Sequence, residues 1–335
     1  MIDKQKNDHS DSESRISYFR HPTLDLRIIF MGTPAFAVAS LDALVQTGLK
    51  IVAVVTAPDK PAGRGMNLHE SAVKKYALEN KLKILQPEKL KSTSFLQELR
   101  ALNADLQVVV AFRMLPESVW NMPPLGTINL HASLLPQYRG AAPINWAIIH
   151  GEKETGVTTF KLKHEIDTGD ILMQEKIEIA PNETAGELHQ RMKELGAKLL
   201  VETVIGLAAG SLKETPQSAI GNSQSAIKYA PKITTDTCRI NWNEKAEKIN
   251  NLVRGLSPIP GAFTELNGKT LKIYKSRFEH NQQSKTTGSY ETDHRSFLRF
   301  NCADGYLYAL DVQLEGKKKM SVEDFLRGYR LNASL

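Results

Sequence analysis

Two hydrophobic periods divide the first 210 residues into alternating strands and helices. Short apolar runs predict strands, and apolar residues that recur every three or four positions predict helices. The predicted strands are residues 26–30, 51–56, 84–85, 106–111, 127–131 and 177–179, and the predicted helices are residues 35–47, 71–80, 93–102 and 184–207. Thr184, with Glu187 three residues later, predicts a capping box at the start of the last helix. Because strand, helix and strand alternate at these lengths, the pattern predicts right-handed crossovers and an α/β fold with a parallel, Rossmann-like sheet.

The pattern changes after residue 210. Residues 211–230 are polar and rich in Ser and Gln, which is typical of a linker. One helix is then predicted at 244–255, followed by short strands at 262–265, 270–276, 297–300 and 306–313, which favour a small β-barrel. The predicted segments are a disordered extension at 1–25, an α/β domain at 26–210, the linker at 211–230 and a barrel domain at 231–335.

Charge and cysteine content narrow the class of protein. The net charge is +6, and the residues from Lys232 onward hold 17 Lys and Arg against 12 Asp and Glu. This excess favours a polyanionic partner, although a mild positive charge often serves only solubility. Cys238 and Cys302 lie in no Cys-x-x-Cys motif, which argues against a zinc site and is typical of a reducing cytoplasm. No apolar run reaches the roughly 18 residues that a membrane span needs.

The candidate chemistry lies between residues 126 and 172. In the predicted strand 127–131, Asn129 and His131 are two positions apart and therefore share one face, while Ile128 and Leu130 point toward the core. An amide and an imidazole at a strand end suit a developing oxyanion and a proton transfer. A polar strand edge without catalysis is the alternative interpretation.

Two aspartates follow the next apolar run, in Asp167-Thr168-Gly169-Asp170. Asp167 is the candidate partner of the imidazole, with a simple turn former as the alternative, and we expect a structural role for Asp170. A dinucleotide is disfavoured, because the first turn offers only Gly32 where the fingerprint needs three glycines.

Several motifs in the same order resemble the folate-dependent formyltransferases. They are Asn-x-His at 129–131, Ser-Leu-Leu-Pro at 133–136, Arg-Gly-x-x-Pro at 139–143 and Asp-Thr-Gly-Asp at 167–170. Residues 57–65 resemble a loop of one branch, the methionyl-tRNA formyltransferases, and residues 240–242, 254–262 and 271–274 resemble that branch's C-terminal domain. The resemblance covers about residues 26 to 330 and implies a formyltransferase domain followed by an OB-like barrel.

The resemblance also implies a reaction, a co-substrate and site residues. The formyl group of 10-formyltetrahydrofolate would move to the α-amine of methionine on initiator tRNA, with no metal. Asn129 would donate to the oxyanion, His131 would act as acid and base, and Asp167 would orient the imidazole, stabilise its charged form or position a water. The implied folate-binding residues are Ser133, Leu134, Leu135 and Pro136.

A cytoplasmic monomer that binds tRNA, and neither DNA nor a membrane, is the resulting expectation. Arg64 occupies the matching position of the loop that reaches the acceptor stem, and Lys60 belongs to the same loop. The implied tRNA-binding residues are Lys60, Arg64, Lys232, Lys245, Lys248, Arg254 and Lys272, each of which could instead be an ordinary surface charge.

Two residues depart from the family pattern, and other formyl-transfer reactions remain alternatives. Glu165 replaces a glycine before the candidate Asp167, and Arg113 replaces a small residue near the expected folate entrance. Glycinamide ribonucleotide formyltransferase, a nucleotide-sugar formyltransferase and formyltetrahydrofolate hydrolase are the rival activities. The second domain argues against the first of these, and its basic character argues against the hydrolase. A nucleotide-sugar enzyme fused to a dehydrogenase would need a second Gly-rich turn, which the sequence lacks.

Overall fold

The computed structural model describes residues 25–62, 67–220, 226–281 and 286–331. The predicted disordered extension therefore lies, apart from Asp25, outside the described residues. The first domain contains strands β1 Arg27–Gly32, β2 Lys50–Val55, β3 Lys60–Ala62, β4 Asn67–His69, β5 Ile84–Leu85, β6 Leu106–Val110, β7 Thr127–His131, β8 Arg139–Gly140, β9 Glu154–Lys161 and β10 Ile171–Glu178. Its helices are α1 Ala35–Gln46, α2 Ala72–Glu79, α3 Thr93–Ala101, α4 Glu117–Trp120, α5 Pro143–Ile149 and α6 Ala185–Ala208.

The remaining elements begin with a short 3-10 helix at Gln217–Ala219. They continue with β11 Tyr229–Ala230, α7 Thr235–Cys238, α8 Ala246–Gly255, β12 Ala262–Leu266, β13 Lys269–His280, β14 Tyr290–Thr292, β15 Leu298–Cys302, β16 Gly305–Leu314, β17 Met320–Ser321 and α9 Val322–Gly328.

The first domain is built on a seven-stranded sheet in the order β10-β9-β7-β6-β1-β2-β5. The five strands from β7 to β5 run parallel, as the alternation of strands and helices predicts. The sequence did not predict that β9 joins β7, or that β10 joins β9, in antiparallel pairs. The sheet is therefore an α/β sheet with an antiparallel edge, a common arrangement in mixed sheets.

Helices α1 and α6 cover one face of the sheet in a shared apolar core. The predicted capping box at the start of α6 is confirmed, because Glu187 N donates to Thr184 Oγ1 at 3.3 Å and Thr184 N donates to Glu187 Oε2 at 2.8 Å. This exchange satisfies two backbone groups of a helix that supports both the sheet and the site.

The second domain is an antiparallel half-barrel in the order β12-β13-β16-β15-β14, with β17 on β16. Helix α8 packs against its apolar face, and the resulting core also includes Ile149 of α5 in the first domain. The two domains are in direct contact, since Asn145 Nδ2 donates to the Gly255 carbonyl at 2.7 Å and Trp146 Nε1 donates to the Pro231 carbonyl at 2.7 Å.

The described part of the predicted linker, residues 211–220 and 226–230, is anchored to the first domain. Thr215 and Ile171 exchange two backbone hydrogen bonds of 2.8 and 2.9 Å. Farther along, β11 pairs in parallel with β8. The polar composition indicated a linker here. In the structure the same residues form hydrogen bonds with the first domain, which composition does not reveal.

We expect Thr184→Ala to lower the free energy of unfolding by about 1 kcal/mol, because it removes the capping bond at the start of α6. Ser92→Ala is the matched control, since Ser92 is the N-cap of α3 but its side chain makes no capping bond. Denaturant titration should show a clear loss for the first variant and little change for the second. Equal losses would mean that the capping box does not stabilise α6.

Candidate active site

Strand β7 brings Asn129 and His131 to the carboxyl edge of the parallel sheet. Its neighbours Ile128 and Leu130 are buried in the core on the other face. His131 is 7% exposed, and Asn129 is half-buried with no side-chain hydrogen bond to another described residue. The amide of Asn129 is therefore available to an oxygen that enters the cleft beside it.

A backbone carbonyl determines the orientation of the imidazole. His131 Nε2 lies 2.9 Å from the carbonyl oxygen of Tyr138. A carbonyl only accepts, so Nε2 carries a proton, and Nδ1 is the ring nitrogen that gains or loses one. Tyr138 holds this carbonyl in place with φ +60, while Tyr138 N donates to the Lys228 carbonyl at 2.6 Å.

Asp167 faces the other ring nitrogen. Its Oδ2 lies 3.8 Å from His131 Nδ1, too far for a hydrogen bond, and accepts from Gly140 N at 2.9 Å. The carboxylate can therefore stabilise a charged imidazolium or hold a water, while the Tyr138 carbonyl orients the ring. Asp170 is directed elsewhere and pairs with Lys163 Nζ at 2.7 Å.

Both departures from the family pattern lie at this edge of the cleft. Glu165 is exposed and has no positive φ, so its backbone conformation does not require the glycine that it replaces. Asp167, two residues later, has φ +54. Arg113 donates to the backbone carbonyls of Pro87 and Glu88, and its guanidinium lies 5.6 Å from the ring of Phe112.

Asn129, His131 and Asp167 all line a cleft of about 950 Å³. Aromatic and aliphatic side chains dominate its walls, including Phe36, Phe112, Met114, Leu115, Trp120 and Ile166. His189 also lines the cleft, and burial lowers its pKa, so its neutral form is favoured. A mainly apolar cleft of this size with a few convergent polar groups suits a planar organic ligand.

The second domain supplies part of the same cleft through Ser257, Pro258 and Ile259. Ile259 is 81% exposed there, and Ser257 accepts from Gly186 N at 3.0 Å across the domain boundary. Ligands in this cleft would therefore contact both domains.

The segment Ser133, Leu134, Leu135 and Pro136 follows the cleft-lining Ala132 but is not itself among the described residues that line the cleft. Ser133 and Leu135 are buried, and Thr158 Oγ1 donates to the Ser133 carbonyl at 2.6 Å. The structure thus gives this segment a supporting position, and its contact with folate stays a prediction.

The basic residues expected to bind tRNA fall into two groups. Lys60 is exposed on the hairpin formed by β3 and β4, and Arg64 lies outside the described residues. In the second domain, Lys232 and Lys245 are exposed, while Lys248 pairs with Glu244 Oε1 at 2.8 Å.

The structure places Arg254 between the two domains, and its contact with tRNA stays a prediction. This residue is 8% exposed and donates to Asn251 Oδ1 at 2.9 Å and to the Glu183 carbonyl at 3.2 Å. Burial lowers its pKa, and the guanidinium connects the second domain to the first through the Glu183 carbonyl. Lys272 is half-buried, and its Nζ donates to the Pro260 carbonyl at 2.9 Å.

Sequence analysis missed Tyr138 and Gln217, which support the candidate site. Tyr138 supplies the carbonyl for His131, and the side-chain amide of Gln217 donates to the backbone carbonyls of Asp167 and Gly169. No sequence pattern identifies either residue. Tyr138 acts through its backbone carbonyl, and Gln217 acts through contacts with residues that are distant in sequence.

Among the described residues, no group of three or more His, Cys, Asp or Glu side chains converges as metal ligands would. Each helix in the described part of the chain is also too short or too polar to cross a bilayer.

The geometry of this site is suited to passing an acyl or formyl group to a nucleophile. The chain belongs to the formyl transferase family: the family model for formyl transferase matches residues 26–204, and the model for the formyl transferase C-terminal domain matches residues 232–330. It is an enzyme of the one-carbon transferase class.

Similar proteins include two that match nearly the whole chain. Methionyl-tRNA formyltransferase of Parabacteroides distasonis is 54% identical over 312 residues, covering 91% of this chain and 96% of that protein. The protein of the same name from Bacteroides fragilis is 50% identical over 312 residues, covering 92% and 96%.

Solved structures confirm the fold. An N-formyltransferase from Helicobacter canadensis, in complex with folinic acid and dTDP-3-aminofucose, aligns with a TM-score of 0.61 and 21% identity over 85% of this chain and 98% of its own. HypX from Aquifex aeolicus, in complex with tetrahydrofolic acid, aligns with a TM-score of 0.59 and 18% identity over 92% of this chain and 49% of its own.

We expect Asp167→Asn to reduce turnover strongly with the fold intact, because the substitution keeps the size but removes the charge that faces His131. Asp170→Asn is the matched control, since Asp170 pairs with the exposed Lys163. Steady-state turnover and thermal unfolding of both variants check the assignment. A larger loss of turnover in Asp170→Asn would reverse the roles of the two aspartates.

Proposed function

We propose that this protein transfers the formyl group of 10-formyltetrahydrofolate to the α-amine of methionyl initiator tRNA, giving formylmethionyl-tRNA for translation initiation. The observation that carries the proposal is the 54% identity to a methionyl-tRNA formyltransferase over 91% of the chain. The aligned residues include both domains, so the similarity extends beyond the fold of the first domain.

Asn129 is the proposed donor to the formyl oxygen. When the amine attacks the formyl carbon, negative charge develops on that oxygen. The Asn129 amide, which has no partner among the described residues, can donate to it. Loss of one such donor typically costs about 3–4 kcal/mol of transition-state stabilisation.

His131 is the proposed acid and base. Because Nε2 is held by the Tyr138 carbonyl, Nδ1 accepts the proton from the attacking amine and returns one to the leaving folate nitrogen. Asp167 favours the charged ring between these two steps, through the 3.8 Å gap or a water within it.

Folate is the proposed occupant of the apolar part of the cleft. The walls near Phe112 and Trp120 suit a planar ring, and Asn129 and His131 stand at the polar end. The buried segment Ser133, Leu134, Leu135 and Pro136 would support this pocket from beside Ala132.

Initiator tRNA is the proposed second substrate, with its methionyl end in the cleft and its phosphates on basic side chains. Lys232 and Lys245 are the exposed candidates in the second domain, and Lys60 on β3 is the exposed candidate in the first. Arg64 remains a candidate from its sequence position alone. Lys248 and Lys272 would have to leave an ion pair or a hydrogen bond first. We further propose that the protein acts as a cytoplasmic monomer.

Rival acceptors are tested by supplying them side by side. The full-length protein with 10-formyltetrahydrofolate should formylate methionyl initiator tRNA far faster than glycinamide ribonucleotide, an amino sugar nucleotide or water. The measurement is the formylated product formed from each acceptor. Faster transfer to any other acceptor would overturn the proposed function.

His131→Ala should lower the rate of the chemical step by ~100-fold or more, the usual scale for losing a general acid and base. Folate binding should change little, because the cleft walls remain. Single-turnover transfer and folate titration separate the two effects. A near-normal single-turnover rate would remove His131 from the mechanism.

Binding of tRNA should weaken steeply with added salt, because phosphate contacts release counterions. Lys245→Ala should weaken binding and reduce the slope of log K against log salt by roughly 0.7–0.9, the value for one phosphate contact. Lys198→Ala, an exposed lysine on α6 of the first domain, is the control and should leave the slope unchanged. Equal changes in both variants would indicate non-specific attraction.

A further inference from the structure

A buried glutamine in the segment between the domains forms hydrogen bonds with residues of the candidate site through both its amide nitrogen and its amide oxygen. Gln217 is 5% exposed, and its Nε2 donates to the carbonyl oxygens of Asp167 at 2.8 Å and Gly169 at 2.9 Å. Its Oε1 accepts from Arg139 Nε at 3.1 Å and from Arg139 Nη2 at 2.6 Å. The amide has only one possible orientation, because carbonyls accept and a guanidinium donates.

The turn that Gln217 holds is one that the backbone would not favour by itself. Asp167 has φ +54, a conformation that residues other than glycine rarely adopt and that costs free energy unless the surroundings maintain it. Two residues on, a Cβ at Gly169 would lie 1.6 Å from the Lys161 carbonyl, so the turn packs directly on the end of β9. The two carbonyls bound by Gln217 therefore secure both ends of a tight, costly turn.

The other end of the Gln217 amide secures the segment that meets the Asp167 carboxylate. Arg139 belongs to β8, and the next residue, Gly140, donates its N–H to Asp167 Oδ2 at 2.9 Å. A Cβ at Gly140 would lie 2.5 Å from the Ala230 carbonyl, so β8 is pressed against β11 of the same interdomain segment. One side chain thus connects the main chain of Asp167 with the strand that binds its carboxylate.

We propose that Gln217 is a positioning residue for the formyl-transfer reaction, which it supports by fixing the Asp167 carboxylate relative to the His131 imidazole. This inference rests on the proposed function. Gln217 bonds neither ring nitrogen of His131 and does not itself line the cleft, so its effect on the reaction passes through its contact with Asp167. A displacement of about 1 Å in such a pair is enough to cost about 100-fold in rate.

Without the amide, three sets of polar groups lose partners at once. The carbonyls of Asp167 and Gly169 and the guanidinium of Arg139 would each need a new partner in a buried place. The turn can then relax toward negative φ, which redirects the Asp167 side chain away from His131. Substrate contacts would remain, since the cleft walls are built from other residues.

The test replaces the amide with an apolar side chain of similar size. Gln217→Met should lower kcat by about 10- to 100-fold while KM for methionyl-tRNA and for 10-formyltetrahydrofolate stays the same. Gln107→Met is the matched control, because Gln107 is a buried glutamine whose Oε1 accepts from Thr127 Oγ1 at 3.0 Å, at the opposite end of β7 from His131. It should lower the unfolding temperature and leave kcat unchanged.

A double-mutant comparison shows whether the effect passes through Asp167. In an Asp167→Asn background, Gln217→Met should add little further loss of kcat, because the charge to be positioned is already gone. Multiplicative losses of kcat, or a normal kcat in Gln217→Met alone, would overturn the proposal.

Hydrogen exchange provides a readout that does not depend on the acceptor. Backbone amides in residues 165–171 should exchange faster in Gln217→Met than in the wild type, and Gln107→Met should leave them unchanged. Unchanged exchange there in Gln217→Met would overturn the positioning role. If the wild type fails to formylate methionyl-tRNA, the proposed function is wrong, and the exchange experiment still decides the role of Gln217.

Discussion

The position of the candidate site depends on the alternation of side chains along β7 between two hydrogen-bonded neighbours. Parallel β6 and antiparallel β9 fix its register on both sides, with Asn129 opposite Val109 and Phe160. A slip of one residue would expose Ile128 and Leu130 and bury the polar pair, so the free energy of core formation opposes it. The placement of an amide and an imidazole at the sheet edge is thus a consequence of apolar burial.

Asp167 is held by a different kind of constraint. No periodic element fixes it; its position depends on a positive φ, one backbone N–H from Gly140 and the amide of Gln217. A site of this design combines a rigid half on a strand with a half whose geometry rests on a few specific hydrogen bonds. The second half is more sensitive to single substitutions, because its geometry depends on so few bonds.

Local patterns predicted the parallel strands of the sheet and the capping box at Thr184, because these depend on hydrophobic period and on residues three positions apart. The resemblance of the motifs to a known family identified Asn129, His131 and Asp167 as candidate site residues, and in the structure all three line one cleft. The burial of Arg254 and the docking of Gln217 could not be predicted, since each depends on contacts with residues about 50 to 80 positions away. Its side-chain type alone made Arg254 a candidate phosphate ligand, and the polar composition around Gln217 indicated a linker.

The turn Ser257–Ile259 of the second domain forms part of the cleft wall. The same domain also carries the exposed basic residues. Exchange of this domain between relatives would therefore transplant one wall of the cleft together with the basic surface. The junction of such a chimaera matters for the same reason. A graft made before Gln217 would pair a foreign residue at position 217 with the native Asp167. A graft made after Pro231 would keep Gln217 and also the hydrogen bond from Trp146 to the Pro231 carbonyl.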